Sequence, residues 1–84
     1  MMDTHKTQTK EITVNILRTI APEADFDALG DDENIRQALG IDSFDFLNFM
    51  IGINDSFGVE IPETDYGKLM TLDDVIDYIE SHAR

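Results

Sequence analysis

Residues 43–57 constrain the fold of this 84-residue chain more than any other segment. Apolar side chains recur there at helical spacing, and Gly58 follows as a natural C-terminal stop. At about 100° per residue, one set of them falls within an arc of roughly 100°, which is wide enough to face a core. This set is Phe46, Phe49, Met50, Ile53 and Phe57. The segment therefore predicts a long helix that packs against other helices.

Helical spacing of apolar residues recurs twice more along the chain. It predicts a first helix over residues 9–20, which Pro22 ends because the residue before a proline disfavours the α conformation. It also predicts a last helix that Thr71 caps, with its apolar residues on one face. Short helical turns are expected at residues 33–39 and 63–69.

The remaining stretch, residues 23–42, is a long acidic connection between the first and second main helices. About 20 residues is long for a loop in a compact domain, so we expect it to pack on the core or to contain local turns. No segment has a convincing strand pattern. We therefore expect an all-α fold, a small antiparallel bundle of three main helices plus one short helix. It should form a single domain over residues 1–84, with residues 1–8 as a flexible tail.

The charge of the chain narrows its possible partners. Eighteen acidic residues face six basic ones, and the net charge of −12 repels nucleic acid and anionic membranes but attracts basic protein surfaces. There is no cysteine, which excludes disulfides, thiolate metal sites and a cysteine nucleophile. No window approaches the roughly 18 apolar residues of a membrane span, and no targeting segment is visible. We expect a cytoplasmic monomer.

Ser43 has the greatest functional potential, because it lies where the second main helix should begin. A helix start has unpaired backbone N–H groups and a partial positive charge, which suit a phosphate. The alternative is a plain helix cap. Hydrolase chemistry would need a general base, but the only histidines, His5 and His82, lie near the termini. Residues 25–36 partly match a calcium loop, but Arg36 stands where a glutamate is required, so we expect no metal site.

The predicted helix has a second apolar stripe on nearly the opposite side, which we call the outer stripe: Phe44, Leu47 and Ile51. Asn48 and Asp55 lie beside it. A helix at the edge of a small domain can hardly bury both faces, so the long loop must cover the outer stripe or leave it exposed for a partner. Next to Ser43, we favour at least partial exposure.

Two motifs and the last helix together resemble the acyl carrier protein family, which includes the peptidyl and D-alanyl carriers. The motifs are Leu39-Gly40-Ile41-Asp42-Ser43-Phe44 and Phe57-Gly58-Val59-Glu60-Ile61-Pro62, and the last helix supplies Val75, Tyr78 and Ile79. The similarity spans nearly the whole chain, with matching order and spacing.

The resemblance implies specific roles for the residues around the predicted helix start. Ser43 would carry a 4′-phosphopantetheine arm through a phosphodiester, and the terminal thiol of the arm would hold an acyl group as a thioester. Asp42 would assist a phosphopantetheinyl transferase and its magnesium ion. The surface that docks basic patches of partner enzymes would comprise Phe44, Asp45, Leu47, Asn48, Ile51 and Asp55.

The implied function is that of a carrier without catalytic activity, which presents its acyl group to enzymes of fatty-acid, lipid or polyketide-type synthesis. Several positions depart from the family pattern. Phe44 replaces the usual leucine, and Asn48, Gly52 and Asn54 stand where carriers of primary fatty acid synthesis often have glutamates. These departures indicate a specialised stand-alone carrier. Two alternatives stay open: an unmodified interaction module that holds a partner on the outer stripe, and an aminoacyl or peptidyl carrier.

Overall fold

The computed structural model describes the backbone of residues 4–82 and the side chains of residues 7–82. This part of the chain contains helices and no strand, with one isolated bridge between Asn34 and Thr71. The predicted all-α fold is therefore confirmed, including the long connection after the first helix. The elements are α1 (Thr4–Ile20), α2 (Ile35–Leu39), α3 (Ser43–Phe57), a 3-10 helix (Glu63–Lys68) and α4 (Leu72–His82).

Both ends of α3 are set by neighbouring residues. At the start, the Asp42 carboxylate accepts the backbone N–H of Asp45 at 2.9 Å, as an N-cap does. At the end, Gly58 has a φ of 68°, in the left-handed region that suits glycine, and its N–H donates to the Asn54 carbonyl. The bounds of α3 agree with the prediction from sequence.

The first helix begins at Thr4, earlier than the predicted start at Thr9. Residues 4–8, expected to belong to a flexible tail, are helical, and residues 1–3 lie outside the described residues. Periodicity gave no signal here because the apolar pattern of α1 starts only at Ile12. At Thr9, where the helix was predicted to begin, the side chain is buried and its hydroxyl donates to the Glu80 carboxylate of α4 at 3.1 Å.

The connection between α1 and α3 is packed rather than free, as expected. It contains α2, within the range 33–39 where a short helical turn is expected, so both expected turns form short helices. Three contacts tie the connection to the rest of the domain. The N–H of Ile35 donates to the Met70 carbonyl at 2.8 Å, the N–H of Asp73 donates to the Asp31 carbonyl at 3.0 Å, and Lys10 forms an ion pair with Asp31 at 2.7 Å.

The core forms where α1 packs against α3 and α4. Its largest fully buried side chain is Phe49, on the inner face of α3. At Gly52, α1 and α3 approach each other closely, because a Cβ added there would lie 2.6 Å from Cγ2 of Ile16. A larger side chain at this position would therefore push α1 and α3 apart. None of the helices within residues 4–82 is both long enough and apolar enough to span a membrane.

Candidate functional site

The site begins at the turn that joins α2 to α3. Gly40 ends α2 with a φ of 66°, Ile41 is buried, and Asp42 caps α3. Ser43 is therefore the first helical residue, and its side chain is exposed. The alternative that Ser43 is a plain helix cap is wrong, because the Asp42 carboxylate fills that position. The Ser43 hydroxyl is left available for other chemistry.

A basic side chain from α2 contacts this hydroxyl. The Arg36 guanidinium donates from Nη2 to Ser43 Oγ at 3.0 Å. The same guanidinium lies over the Phe46 ring, with Cζ 5.7 Å from the ring centroid, which is within cation–π range. The sequence places Arg36 only at the glutamate position of a calcium-like segment and does not predict its contact with Ser43. The separation of seven residues does not by itself predict this hydrogen bond, because the two side chains meet only through the turn at Gly40.

The outer stripe of α3 is exposed rather than covered by the long connection. The side chains of Phe44, Leu47 and Ile51 are 69%, 41% and 50% exposed, and Asn48 and Asp55 beside them are exposed too. Of the inner face that the 100° arc predicts, Phe46, Phe49, Met50 and Ile53 are buried and Phe57 is partly buried. The two-faced pattern is thus present in the structure, while the docking role of the outer stripe stays a prediction.

An open groove of about 700 Å³ lies next to Ser43, between α2, α3 and the 3-10 helix. Its walls combine the aliphatic side chains of Leu47, Leu69 and Met70 with the rings of Phe46 and Tyr66. The two rings meet edge to face, with centroids 5.9 Å apart. Ser43 and Arg36 line the same groove, so a group attached to the serine could enter a largely apolar channel.

The wall formed by the 3-10 helix is held to α4 by one side-chain hydrogen bond. The Tyr78 hydroxyl donates to the Asp65 carboxylate at 2.8 Å, and Lys68 forms an ion pair with the same carboxylate at 3.3 Å. The hydrogen bond from Tyr78 is the main reason that the pKa of Asp65 lies below its ordinary value. The pKa of Tyr78 is raised, mainly because burial desolvates its hydroxyl and to a smaller extent because of the hydrogen bond to Asp65.

No histidine is among the described residues that line the groove beside Ser43. The imidazole of His82 stacks on Tyr78 and has its Nδ1 2.9 Å from the Tyr78 carbonyl oxygen, and His5 lies outside the residues whose side chains are described. In the calcium-like segment, the Asp25 carboxylate accepts the backbone N–H groups of Asp27 and Ala28 and so stabilises a turn. Within residues 7–82, no three histidine or acidic side chains are grouped as metal ligands would be.

Comparisons with known proteins agree on the class of this chain. The family described as the phosphopantetheine attachment site matches residues 12–79, which include α2, α3 and Ser43. The acyl carrier protein of Lactobacillus johnsonii is 40% identical over 58 residues, which cover 69% of this chain and 72% of that protein. The acyl carrier protein of Campylobacter hominis is 34% identical over 74 residues, covering 88% and 87% of the two chains.

A solved structure extends the likeness to the fold. The acyl carrier protein from Enterococcus faecalis superposes with a TM-score of 0.70 at 30% identity, covering 89% of this chain and 98% of that one. The chain therefore belongs to the acyl carrier protein family, whose members carry 4′-phosphopantetheine on a serine. It is a carrier protein rather than an enzyme.

Proposed function

We propose that Ser43 is the serine that carries the 4′-phosphopantetheine arm. The observation that supports this most directly is the exposed Ser43 hydroxyl at the start of α3, relieved of capping by Asp42. The chain has two other serines, Ser56 and Ser81. Ser56 lies in the last turn of α3, where the helix dipole disfavours a phosphate, and Ser81 lies beyond the matched residues.

On this proposal, the arm's thiol holds an acyl group as a thioester and presents it to enzymes of fatty-acid, lipid or polyketide-type synthesis. The carrier supplies the tether, a docking helix and the groove beside Ser43, which could shelter part of the arm or its cargo. The net charge of −12 supports action as a monomer, because copies of the chain repel one another, and we propose the cytoplasm as its location.

The docking surface proposed for partner enzymes is the outer stripe together with Asp45, Asn48 and Asp55. The exposed apolar side chains would form the centre of the contact, and the carboxylates would steer basic patches towards it. Phosphopantetheinyl transferase would be the first partner, and Asp42 would assist it in modifying Ser43. Acyl-loading, elongating or acyl-transfer enzymes would follow.

We also propose a specialised pathway, because Asn48 and Asn54 leave α3 with fewer acidic residues than general fatty-acid carriers often have. The modified protein should then be a poor substrate for the general malonyl transferase and elongation enzymes of its host. Loading and elongation at the rate of the host's general carrier would contradict the specialisation but not the carrier role.

Intact-mass measurement tests the attachment site. Coexpression with a broad-specificity phosphopantetheinyl transferase should add one arm to the wild type, none to Ser43→Ala and one to the matched control Ser56→Ala. A wild type that stays unmodified would support the unmodified interaction module instead. An aminoacyl or peptidyl carrier would also gain the arm, and a loading assay that compares acyl and aminoacyl donors separates that alternative.

A further inference from the structure

The guanidinium of Arg36 is placed to contact whatever is bonded to Ser43. Its Nη2 already donates to Ser43 Oγ at 3.0 Å, and that oxygen would become the ester oxygen of the attached phosphodiester. The non-bridging phosphate oxygens lie only two bonds away from Oγ, so a small rotation of the arginine side chain would bring them within reach. A guanidinium binds phosphate oxygens with two parallel N–H donors and keeps its charge at any physiological pH.

Arg36 is also free to accept such a ligand. Among residues 7–82, no carboxylate lies within ion-pair distance of Arg36, although the chain has three times as many acidic as basic residues. Its contact with the Phe46 ring holds the guanidinium near Ser43 without occupying its in-plane N–H donors. The Asp42 carboxylate, which could compete for the guanidinium, accepts the N–H of Asp45.

We infer that Arg36 binds the phosphodiester that joins the arm to Ser43 and holds the base of the arm against α2. This inference rests on the proposed modification of Ser43. The phosphodiester adds one negative charge next to Asp42 and Asp45 on an already acidic protein. Arg36 offsets that repulsion, so the modified carrier keeps its stability and the arm leaves the protein on the side of the groove.

The test compares how modification changes the melting temperature of the wild type, Arg36→Met and Arg36→Lys. Arg18→Met is a matched control, because Arg18 is another exposed arginine over an aromatic ring, with Cζ 5.6 Å from the centroid of Phe26. Intact mass first confirms the modified state of each protein. The change is the melting temperature of the modified protein minus that of the unmodified protein, and it should be lower by about 2–5 °C in Arg36→Met than in the wild type. It should match the wild type in Arg18→Met, and it should lie between them in Arg36→Lys.

The difference between the wild type and Arg36→Met should shrink in 1 M salt, because exposed charges are screened. Equal changes in the wild type and Arg36→Met would overturn the inference while leaving Ser43 as the attachment site. A wild type that gains no arm, seen by mass before any melting experiment, would overturn both.

A second measurement uses only the wild type and so covers the case in which Arg36→Met is not modified. In ¹⁵N-labelled protein, the side-chain Nε–H resonance of Arg36 should shift on modification much more than that of Arg18. Equal shifts of the two resonances would overturn the inference.

Discussion

Because α1 and α3 approach each other closely at Gly52, we can predict whether Gly52→Ala raises or lowers the stability of the fold. An alanine Cβ at this position would lie 2.6 Å from Cγ2 of Ile16, nearer than two carbon atoms can pack. Ile16 is β-branched and lies within a helix, where one χ1 rotamer is strongly preferred, so its methyl group cannot readily turn away. The Gly52→Ala variant must therefore move α1 relative to α3 or strain the Ile16 side chain.

Two opposing contributions decide the stability of Gly52→Ala. Overpacking of this kind typically costs about 1–3 kcal/mol, whereas alanine in place of glycine inside a helix contributes about 0.5–1 kcal/mol of stability. We expect a net loss of about 1 kcal/mol in the free energy of unfolding. For a domain of this size, that corresponds to a melting temperature lower by about 4–8 °C.

A double-mutant cycle with Ile16→Ala isolates the contact. Thermal and urea unfolding, followed by circular dichroism, would be measured for the wild type, both single variants and the double variant. In the Ile16→Ala background the clash is removed, so Gly52→Ala should stabilise by about 0.5–1 kcal/mol. Gly67→Ala is a matched control, because nothing lies within 4 Å of an added Cβ and its φ is not positive, so it should be neutral or slightly stabilising. Equal stabilisation by Gly52→Ala in both backgrounds would refute the close-approach argument.

Four further predictions concern docking, pH, salt and dynamics. Leu47→Ala should lower kcat/KM for modification by a phosphopantetheinyl transferase about tenfold. Ile12→Ala, which removes a similarly exposed apolar side chain on α1, should leave kcat/KM unchanged, and equal effects of the two substitutions would contradict docking on the outer stripe. Because the pKa of Asp65 is lowered in the folded state, it contributes stability at pH values above its ordinary pKa of 3.8, and this stability is lost as the pH falls through the folded-state pKa. Because the pKa of Tyr78 is raised, it contributes stability that is present below pH 10.0 and is lost as the pH rises through the folded-state pKa. In melting curves across pH, Tyr78→Phe should flatten both limbs, and unchanged limbs would rule out this hydrogen bond as their cause. Because a net charge of −12 repels itself, salt or divalent ions should raise the melting temperature, and a value independent of ionic strength would contradict this. In hydrogen exchange, amides of residues 23–34 should be among the least protected, since few of them form backbone hydrogen bonds, and uniformly slow exchange there would refute it.

Local signals explain why the ends of α3 could be predicted and the start of α1 could not. The cap at Asp42 and the left-handed glycine at Gly58 act on residues within one turn, so the signals that end the helix lie in neighbouring residues of the sequence. The N-terminal part of α1 has no apolar pattern, and its Thr9 side chain instead contacts Glu80, which is 71 positions away. No periodicity within α1 contains that information, because it depends on how α4 packs.

The candidate site divides in the same way. Ser43 and the outer stripe belong to one helix, so the predicted helix start with its flanking motif identified the serine, and helical spacing identified the stripe. The groove could not be foreseen, because its walls come from α2, α3 and the segment around Met70, which the fold brings together. Arg36 was missed for a related reason: its distance from Ser43 depends on the turn at Gly40 rather than on helical spacing.

The position of the N-cap connects the stability of α3 with the chemistry proposed for it. A capping serine uses its side-chain oxygen to accept a backbone N–H, and loss of such a cap typically costs about 1 kcal/mol. Modification of a capping serine would therefore weaken the helix that partners are proposed to recognise. Asp42 is the cap in this structure, one residue before Ser43, so the proposed phosphodiester on Ser43 would leave the cap of α3 intact. Because Asp42 is the cap, the Ser43 hydroxyl is also able to accept the hydrogen bond from Arg36, which on our proposal would place a cation beside the attached phosphodiester.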